Sequence, residues 1–256
     1  MRIIKITVAY DGTHFHGWQV QPALRTVQGE IEKSIAQITG ESIRIMGAGR
    51  TDAGVHALGQ AASFSTPSTL SCEKLCDGLD AVTPEDIAVI EAYDVPENFD
   101  ARHDAVSKLY RYSIHNSRSG HPLRRRTHLH VKAGLDIPAM SDAAGMLEGS
   151  HDFAGFRAAD CDREETVLPL YRCEILKGDA DEIRLEVEGP AFMKHMVRVI
   201  AGTLVEIARG RMKPGHVSKI LETGDRTIAG PTAAAHGLTL VRVDYDRGWI
   251  RKNKPA

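Results

Sequence analysis

The strongest constraint on the fold lies between Glu182 and Glu188, where Ile183, Leu185 and Val187 alternate strictly with Glu182, Arg184, Glu186 and Glu188. A repeat of two puts every apolar side chain on one face of a strand and every charge on the other. The apolar face needs a core and the outer face should meet water, which fits an antiparallel sheet backed by helices on one side.

The remaining periodicities agree. Alternation at Ile4, Ile6, Val8 and Tyr10 gives a first strand, and Val27, Ile31, Ile35 and Ile38 recur at helical spacing between Thr26 and Gly40. Strands are predicted at Ser42 to Met46 and Gln60 to Ser65, a helix through Cys72, Leu75, Cys76 and Leu79, and a strand at Ile87 to Tyr93. This β-α-β-β-α-β order is the split unit of a ferredoxin-like fold. The second half repeats it loosely. Strands are read at Lys108 to His115, Val167 to Lys177, Ile183 to Val187 and Leu238 to Tyr245, with helices at Pro138 to Glu148, Phe192 to Arg209 and Pro214 to Glu222. The expected class is α+β, with two ferredoxin-like halves, antiparallel sheets joined side by side, helices on one face and a cleft between the halves. The domains are 1–104 and 105–246, with the junction near Arg102 to Val106 and a basic, proline-ended tail at 247–256.

With 256 residues, 42% hydrophobic and 26% charged, the chain can bury one large core or two modest ones. The opening Met1-Arg-Ile-Ile-Lys-Ile-Thr-Val8 lacks the apolar core of a signal peptide. No run approaches the roughly 18 apolar residues of a spanning helix, so a cytoplasmic protein without membrane contact is expected. The four cysteines read as reduced thiols, and the twelve histidines form no His-Glu-x-x-His string, so no metal is assigned. The net charge of -2 hides a segregation. Ala105 to Leu135 holds no acid but carries Lys108, Arg111, Arg118, Arg124, Arg125, Arg126 and Lys132. A second basic stretch, Gly189 to Leu221, contains Lys194 and Arg198 against the single acid Glu206. Two such stretches could line a polyanion cleft or form two solvated faces.

The chemistry concentrates in Gly47-Ala-Gly-Arg-Thr-Asp-Ala-Gly-Val-His56, which crowds three glycines around Arg50 and Asp52. Glycines admit backbone conformations closed to other residues and let a ligand approach. A tight turn with a surface carboxylate is one reading of this loop, and a presented catalytic carboxylate is the other. Lys108-Leu-Tyr-Arg-Tyr112 sets Tyr110 and Tyr112 on one strand face and Arg111 on the other. Tyr112 reads as core; an aromatic beside basic residues also suits base stacking.

The loop resembles the catalytic motif of the TruA family of tRNA pseudouridine synthases, unbroken from Gly49 to Ala57. Tyr10 to Gln21, Phe99-Asp-Ala-Arg102, Ser150-His-Asp-Phe153, Gly189 to Arg198 and Ala229-Gly-Pro-Thr232 are also similar to family segments. His103 and Ala234 depart, standing where an aromatic and a proline are expected. The resemblance implies isomerisation of uridine to pseudouridine at positions 38 to 40 of the tRNA anticodon stem-loop, without a cofactor, by a homodimer. It implies Asp52 as nucleophile, with attack at the ribose or at uracil C6 left open. Arg198 is then the ion-pair partner that orients Asp52, and Arg50 assists base flipping. Tyr110 is the stacking residue, and Arg124, Arg125, Arg126 and Lys194 contact the RNA. Two rivals remain: a non-catalytic RNA-binding protein, and an aspartate hydrolase such as a nucleosidase. A hydrolase would need a second carboxylate to activate water, and none is paired with Asp52 in the motif.

Overall fold

In a computed structural model that describes residues 1–246, strand β1 (Arg2–Tyr10) buries Ile4, Ile6, Val8 and Tyr10, as its alternation requires. The tail read at Arg247 to Ala256 lies outside the described residues. Helix α1 (Val27–Thr39) starts where the Thr26 hydroxyl accepts from the Gly29 N–H at 3.3 Å and stops at Gly40, whose φ is 74°. Both ends are the capping solutions that a helix with orphan amides and carbonyls needs. Its inner stripe, Val27, Ile31 and Ile35, is fully buried, each side chain worth about 1.5 to 3 kcal/mol of transfer energy.

Then follow β2 (Met46–Gly47), β3 (His56–Thr66), α2 (Cys72–Val82) and β4 (Ile87–Val95). The strands run β4-β1-β3, antiparallel throughout, with β2 attached to β3. The strand expected at Ser42 to Met46 therefore shrinks to two residues. Side chains of α1 take its backbone groups instead: the Ile45 N–H donates to Glu32 Oε1 at 3.0 Å, and the Ile45 carbonyl accepts from Gln28 Nε2 at 3.1 Å. A backbone satisfied by side chains has no amide or carbonyl left for a ladder.

The second part contains β5 (Ala105–Asn116), β6 (Leu129–Val131), α3 (Ile137–Gly145), β7 (Gly149–Asp152), β8 (Val167–Leu170), β9 (Arg172–Lys177), β10 (Glu182–Gly189), α4 (Met196–Ala208), α5 (His216–Thr223) and β11 (Leu238–Tyr245). Strand β10 pairs antiparallel with β5 and β9, and the short β6 runs parallel to β5. The single strand expected from Val167 to Lys177 is two strands, because the chain breaks at exposed Tyr171 and β8 pairs with β7 in a separate ribbon.

The chain divides into two units, Met1–Ser107 with the segment from Leu240, and Lys108–Thr239. In this division β11, which lies beside β3, returns the chain to the first unit. There Tyr245 packs on Phe99 with ring centroids 5.2 Å apart and donates its hydroxyl to the Ala101 carbonyl at 2.7 Å. Order along the chain cannot reveal such a return, since strand pairing is a tertiary choice.

One expectation about β10 is corrected. Its charged face does not simply meet water: Glu182 and Glu186 are 8% and 5% exposed. Arg111 of β5 and Arg172 of β9 grip the two oxygens of Glu186 at 2.7 and 3.2 Å, while Arg184 and His128 grip Glu182 at 2.7 and 3.2 Å. Cross-strand pairing lets carboxylates sit beneath flanking arginine stems, a covering that alternation cannot foretell.

Candidate active site

The Asp52 loop spans the gap between β2 and β3 in the first unit, and its shape is imposed from below. The hydroxyls of Tyr10 and Thr51 are 2.8 Å apart, both buried. Gln60 of β3 donates to the Gly49 carbonyl at 2.9 Å, and the Trp18 N–H donates to the Thr51 carbonyl at 3.0 Å. Phe15 holds the far side, accepting from the Gly54 N–H at 3.3 Å, and a turn closes from the Val55 N–H to the Asp52 carbonyl at 3.1 Å. Thr51 is buried, while its neighbours Arg50 and Asp52 are exposed and half-buried respectively.

Two glycines outside the Arg50 to Ala53 turn make this closeness possible. Gly17 has a φ of 90°, and a Cβ there would lie 2.6 Å from the Thr51 carbonyl oxygen. Gly47 lies under Trp18, where a Cβ would come within 2.5 Å of the indole. Trp18 is 3% exposed and leans on Tyr10, so it braces the loop. The segment before it is tied down by the bidentate Arg25–Asp86 pair at 2.7 and 2.8 Å, with the Arg25 guanidinium 4.2 Å from the centre of the Phe15 ring. Asp11 caps its own turn, accepting from the Thr13 N–H at 3.0 Å, and the Gly12 N–H donates to His56 Nδ1 at 3.0 Å. The same Nδ1 lies 3.1 Å from Asp11 Oδ1, so the ring sits between that amide and that carboxylate. Tyr10, Thr51, Gln60 and His56 were missed as supports of the site in the sequence reading, where alternation marks Tyr10 only as core. Tyr10 spaced to face the loop through Thr51 is a signal available only once the strand register is known.

The other candidates belong to the second unit. Tyr110 sits on β5 opposite Val187, is 7% exposed, and meets Phe192 edge-on with centroids 5.0 Å apart. Tyr112 is fully buried and donates its hydroxyl to the Ala234 carbonyl at 2.9 Å, which places it in the core as expected. Burial pushes its phenol well above the ordinary range. Arg198 lies in the first turn of α4, half-buried, with its Nε donating to the Ala233 carbonyl at 2.9 Å. His195 enters that helix at φ 61°, a left-handed conformation that costs a non-glycine residue about 1 to 2 kcal/mol. Strain three residues ahead of Arg198 sets the angle at which α4 starts.

The basic residues separate into distinct roles. Lys194 is exposed and its Nζ lies 2.5 Å from Asp160, holding that carboxyl below its usual range. Arg124 is half-buried and anchored on His115 Nδ1 at 3.3 Å and the Asp179 carbonyl at 3.4 Å, whereas Arg125 and Arg126 are exposed. Elsewhere the basic stretches are used internally. Lys108 is 8% exposed and donates to the Pro190 carbonyl at 3.1 Å, and Glu206 pairs with both Arg209 and Arg211 at 2.9 and 3.1 Å. Among the described residues all four cysteines are free thiols, no helix is long and apolar enough to cross a membrane, and no cluster of three or more histidine, cysteine or acidic side chains could hold a metal.

A mixed fold with a half-buried aspartate on a glycine-lined loop suits acid-base or nucleophilic chemistry, and the sequence comparisons narrow the class. The chain belongs to the tRNA pseudouridine synthase family, whose model matches residues 6–104 and 143–246. It is 45% identical over 245 residues to tRNA pseudouridine synthase A of Geotalea uraniireducens, covering 96% of this chain and 100% of that one. It is 44% identical over 245 residues to the protein of that name from Myxococcus xanthus (96% and 92% covered) and 42% identical over 245 to that of Bacillus pumilus (95% and 99%).

Proposed function

We propose that this protein converts uridine to pseudouridine in tRNA, at positions 38 to 40 of the anticodon stem-loop, with Asp52 as the nucleophile. The observation that carries the reading is the Asp52 loop, held by Tyr10, Gln60 and Trp18 through Thr51 and Gly49, with Asp52 half-buried two residues from exposed Arg50. Family membership and near-full-length similarity to proteins named tRNA pseudouridine synthase A support it.

The reaction is an isomerisation. The bond from uracil N1 to C1′ breaks, C1′ joins C5, the C5 proton leaves and N1 takes one up, so no electrons are exchanged with a cofactor. A carboxylate is the one group the chemistry requires, adding to C1′ or to uracil C6 and leaving again when the new bond forms. A stacked uridine is beyond its reach, so the nucleotide must be flipped, at a cost of a few kcal/mol. In this proposal Arg50 occupies the vacated position, Tyr110 stacks on the flipped base, and Arg198 forms the ion pair that orients Asp52. Arg124, Arg125, Arg126 and Lys194 neutralise phosphates. A homodimer and a cytoplasmic location belong to the same proposal.

Asp52→Asn tests it, since the amide keeps the shape and removes the charge. tRNA binding should persist while pseudouridine formation disappears; turnover near the wild-type rate would overturn the assignment of Asp52.

A further inference from the structure

A cavity of about 330 Å³ opens in the second unit, lined by Arg124, Arg125 and five histidines, with no carboxylate among its lining residues. Its walls come from the end of β5, the turn at Pro122–Arg124, β6 and the turn at Ala235–Gly237. His115 stacks on His130 with centroids 5.5 Å apart and meets His121 edge-on at 5.9 Å.

Hydrogen bonds fix the protons on these rings. His115, His130 and His236 each place Nε2 against a backbone carbonyl, of Ser119 at 3.1 Å, Ser117 at 2.8 Å and His128 at 3.1 Å. A carbonyl only accepts, so each Nε2 carries the proton and each Nδ1 of the neutral ring is a lone pair. On His115 that lone pair accepts from the Arg124 guanidinium and is already occupied. His128 is turned onto Glu182, yet burial holds it below the ordinary imidazole range. His130 and His236 differ: when either takes up a second proton, Nδ1 becomes a donor while Nε2 keeps its anchor. The charged and titratable groups that face them are Arg124 and Arg125, the other three imidazoles, and Glu182 with its partner Arg184 on β10.

The same hydrogen bonds argue against a metal, since the Nε2 atoms are spent on carbonyls and do not converge. What the cavity offers is guanidinium N–H groups, imidazoles able to gain a donor, and a lining without a carboxylate, with Glu182 behind His128 already paired to Arg184. We propose that this cavity is a binding site for a phosphoryl or sulfuryl oxyanion, closed at alkaline pH and opened by protonation of His130 and His236. The oxyanion site rests on the cavity alone, and a phosphodiester of bound RNA as its source rests on the proposed function. Binding an anion favours the protonated rings, and by linkage lower pH favours the anion.

The test uses the full-length protein with sulfate and dimethyl phosphate, whose charges do not change between about pH 6 and pH 8, so any pH dependence belongs to the imidazoles. Imidazole carbon-bound proton signals, assigned with single His→Gln variants, should move on addition of at least one probe. Affinity should be about tenfold tighter near pH 6 than near pH 8. Arg125→Gln, at an exposed position, should lose most of this binding. Binding of dimethyl phosphate that a short single-stranded RNA displaces assigns the site to an RNA backbone, and binding of sulfate alone assigns it to a free dianion. No signal movement with either probe, an affinity independent of pH, or unchanged binding in Arg125→Gln overturns the proposal. Asp52→Asn separates the two readings, because it should abolish turnover and leave anion binding at the cavity intact.

Discussion

The hydroxyl of Tyr10, buried at the end of β1, lies 2.8 Å from the hydroxyl of Thr51, the residue immediately before the proposed nucleophile. A buried strand thereby dictates the height at which the loop presents Asp52. Tyr10→Phe removes this bond and leaves the Thr51 hydroxyl buried without its partner, which should cost about 1 to 2 kcal/mol of stability. The variant should bind tRNA normally and turn it over more slowly. Urea midpoints and single-turnover rates check both; an unchanged rate would show that the loop holds its shape without Tyr10.

Gly17→Ala should be more damaging than its size suggests. Its φ of 90° strains any side chain, and the added Cβ would meet the Thr51 carbonyl at 2.6 Å. Strain and displacement together should destabilise by more than about 1 kcal/mol and shift the Asp52 loop. A thermal melt with an activity assay on the folded fraction separates the two effects, and wild-type values for both would contradict the geometry.

Arg198→Gln should lower turnover at saturating tRNA more than it weakens binding, if the residue orients Asp52. Removing a phosphate contact would do the reverse, raising the apparent dissociation constant and reducing its salt dependence. Measuring kcat and KM at two salt concentrations distinguishes these, with Arg198→Lys as the charge-preserving control.

Stability should fall as the medium is acidified, in two windows set by His128 and Glu182. Burial depresses His128, so the folded state resists its protonation and stability is lost as pH falls below the unfolded imidazole value of about 6.5. The hydrogen bond from Arg184, helped by His128, depresses Glu182. Its contribution is present above the unfolded value of about 4.3 and disappears as pH falls through the lower folded value. In urea titrations Glu182→Gln should be less stable than wild type at neutral pH and should show a weaker dependence below about pH 4.3. Parallel curves for the two proteins would refute the pairing.

Replacing exposed Arg125 and Arg126 together should flatten the salt dependence of tRNA binding, each phosphate contact contributing about 0.7 to 0.9 to the slope of log K against log salt. Tyr110→Ala should leave that slope alone and impair turnover, because stacking is nearly indifferent to salt. Arg124 is kept in this test, since replacing a guanidinium that also serves His115 and the Asp179 carbonyl would disturb the surrounding fold as well as any phosphate contact.

Much of the candidate site was legible before any coordinates. The string from Gly49 to Ala57 marks Asp52 because a carboxylate among glycines, next to an arginine, is a local arrangement written in consecutive residues. The support beneath it was not legible, because Tyr10, Trp18 and Gln60 reach Thr51 and Gly49 from other parts of the first unit. The histidine cavity was equally hidden: twelve scattered histidines gave no ligand spacing, and five of them meet only through the pairing of β5 with β6 and the return of the chain at His236.

By itself the sequence determined where strands and helices lie, through periods of two and near four, and which loop carries the chemistry. Helix α1 ends at the residues its caps name, and β11 runs over Leu238–Tyr245, the residues read as the last strand. The tertiary structure alone decided that the residues before Met46 stay out of the ladder, that β11 returns to the first unit, and that the outer face of β10 is paired and half-covered. Periodicity reports which face of an element is apolar. It is silent on which partner competes for a backbone amide or shields a charge, since those contests are settled between residues distant in the chain and adjacent only in the fold.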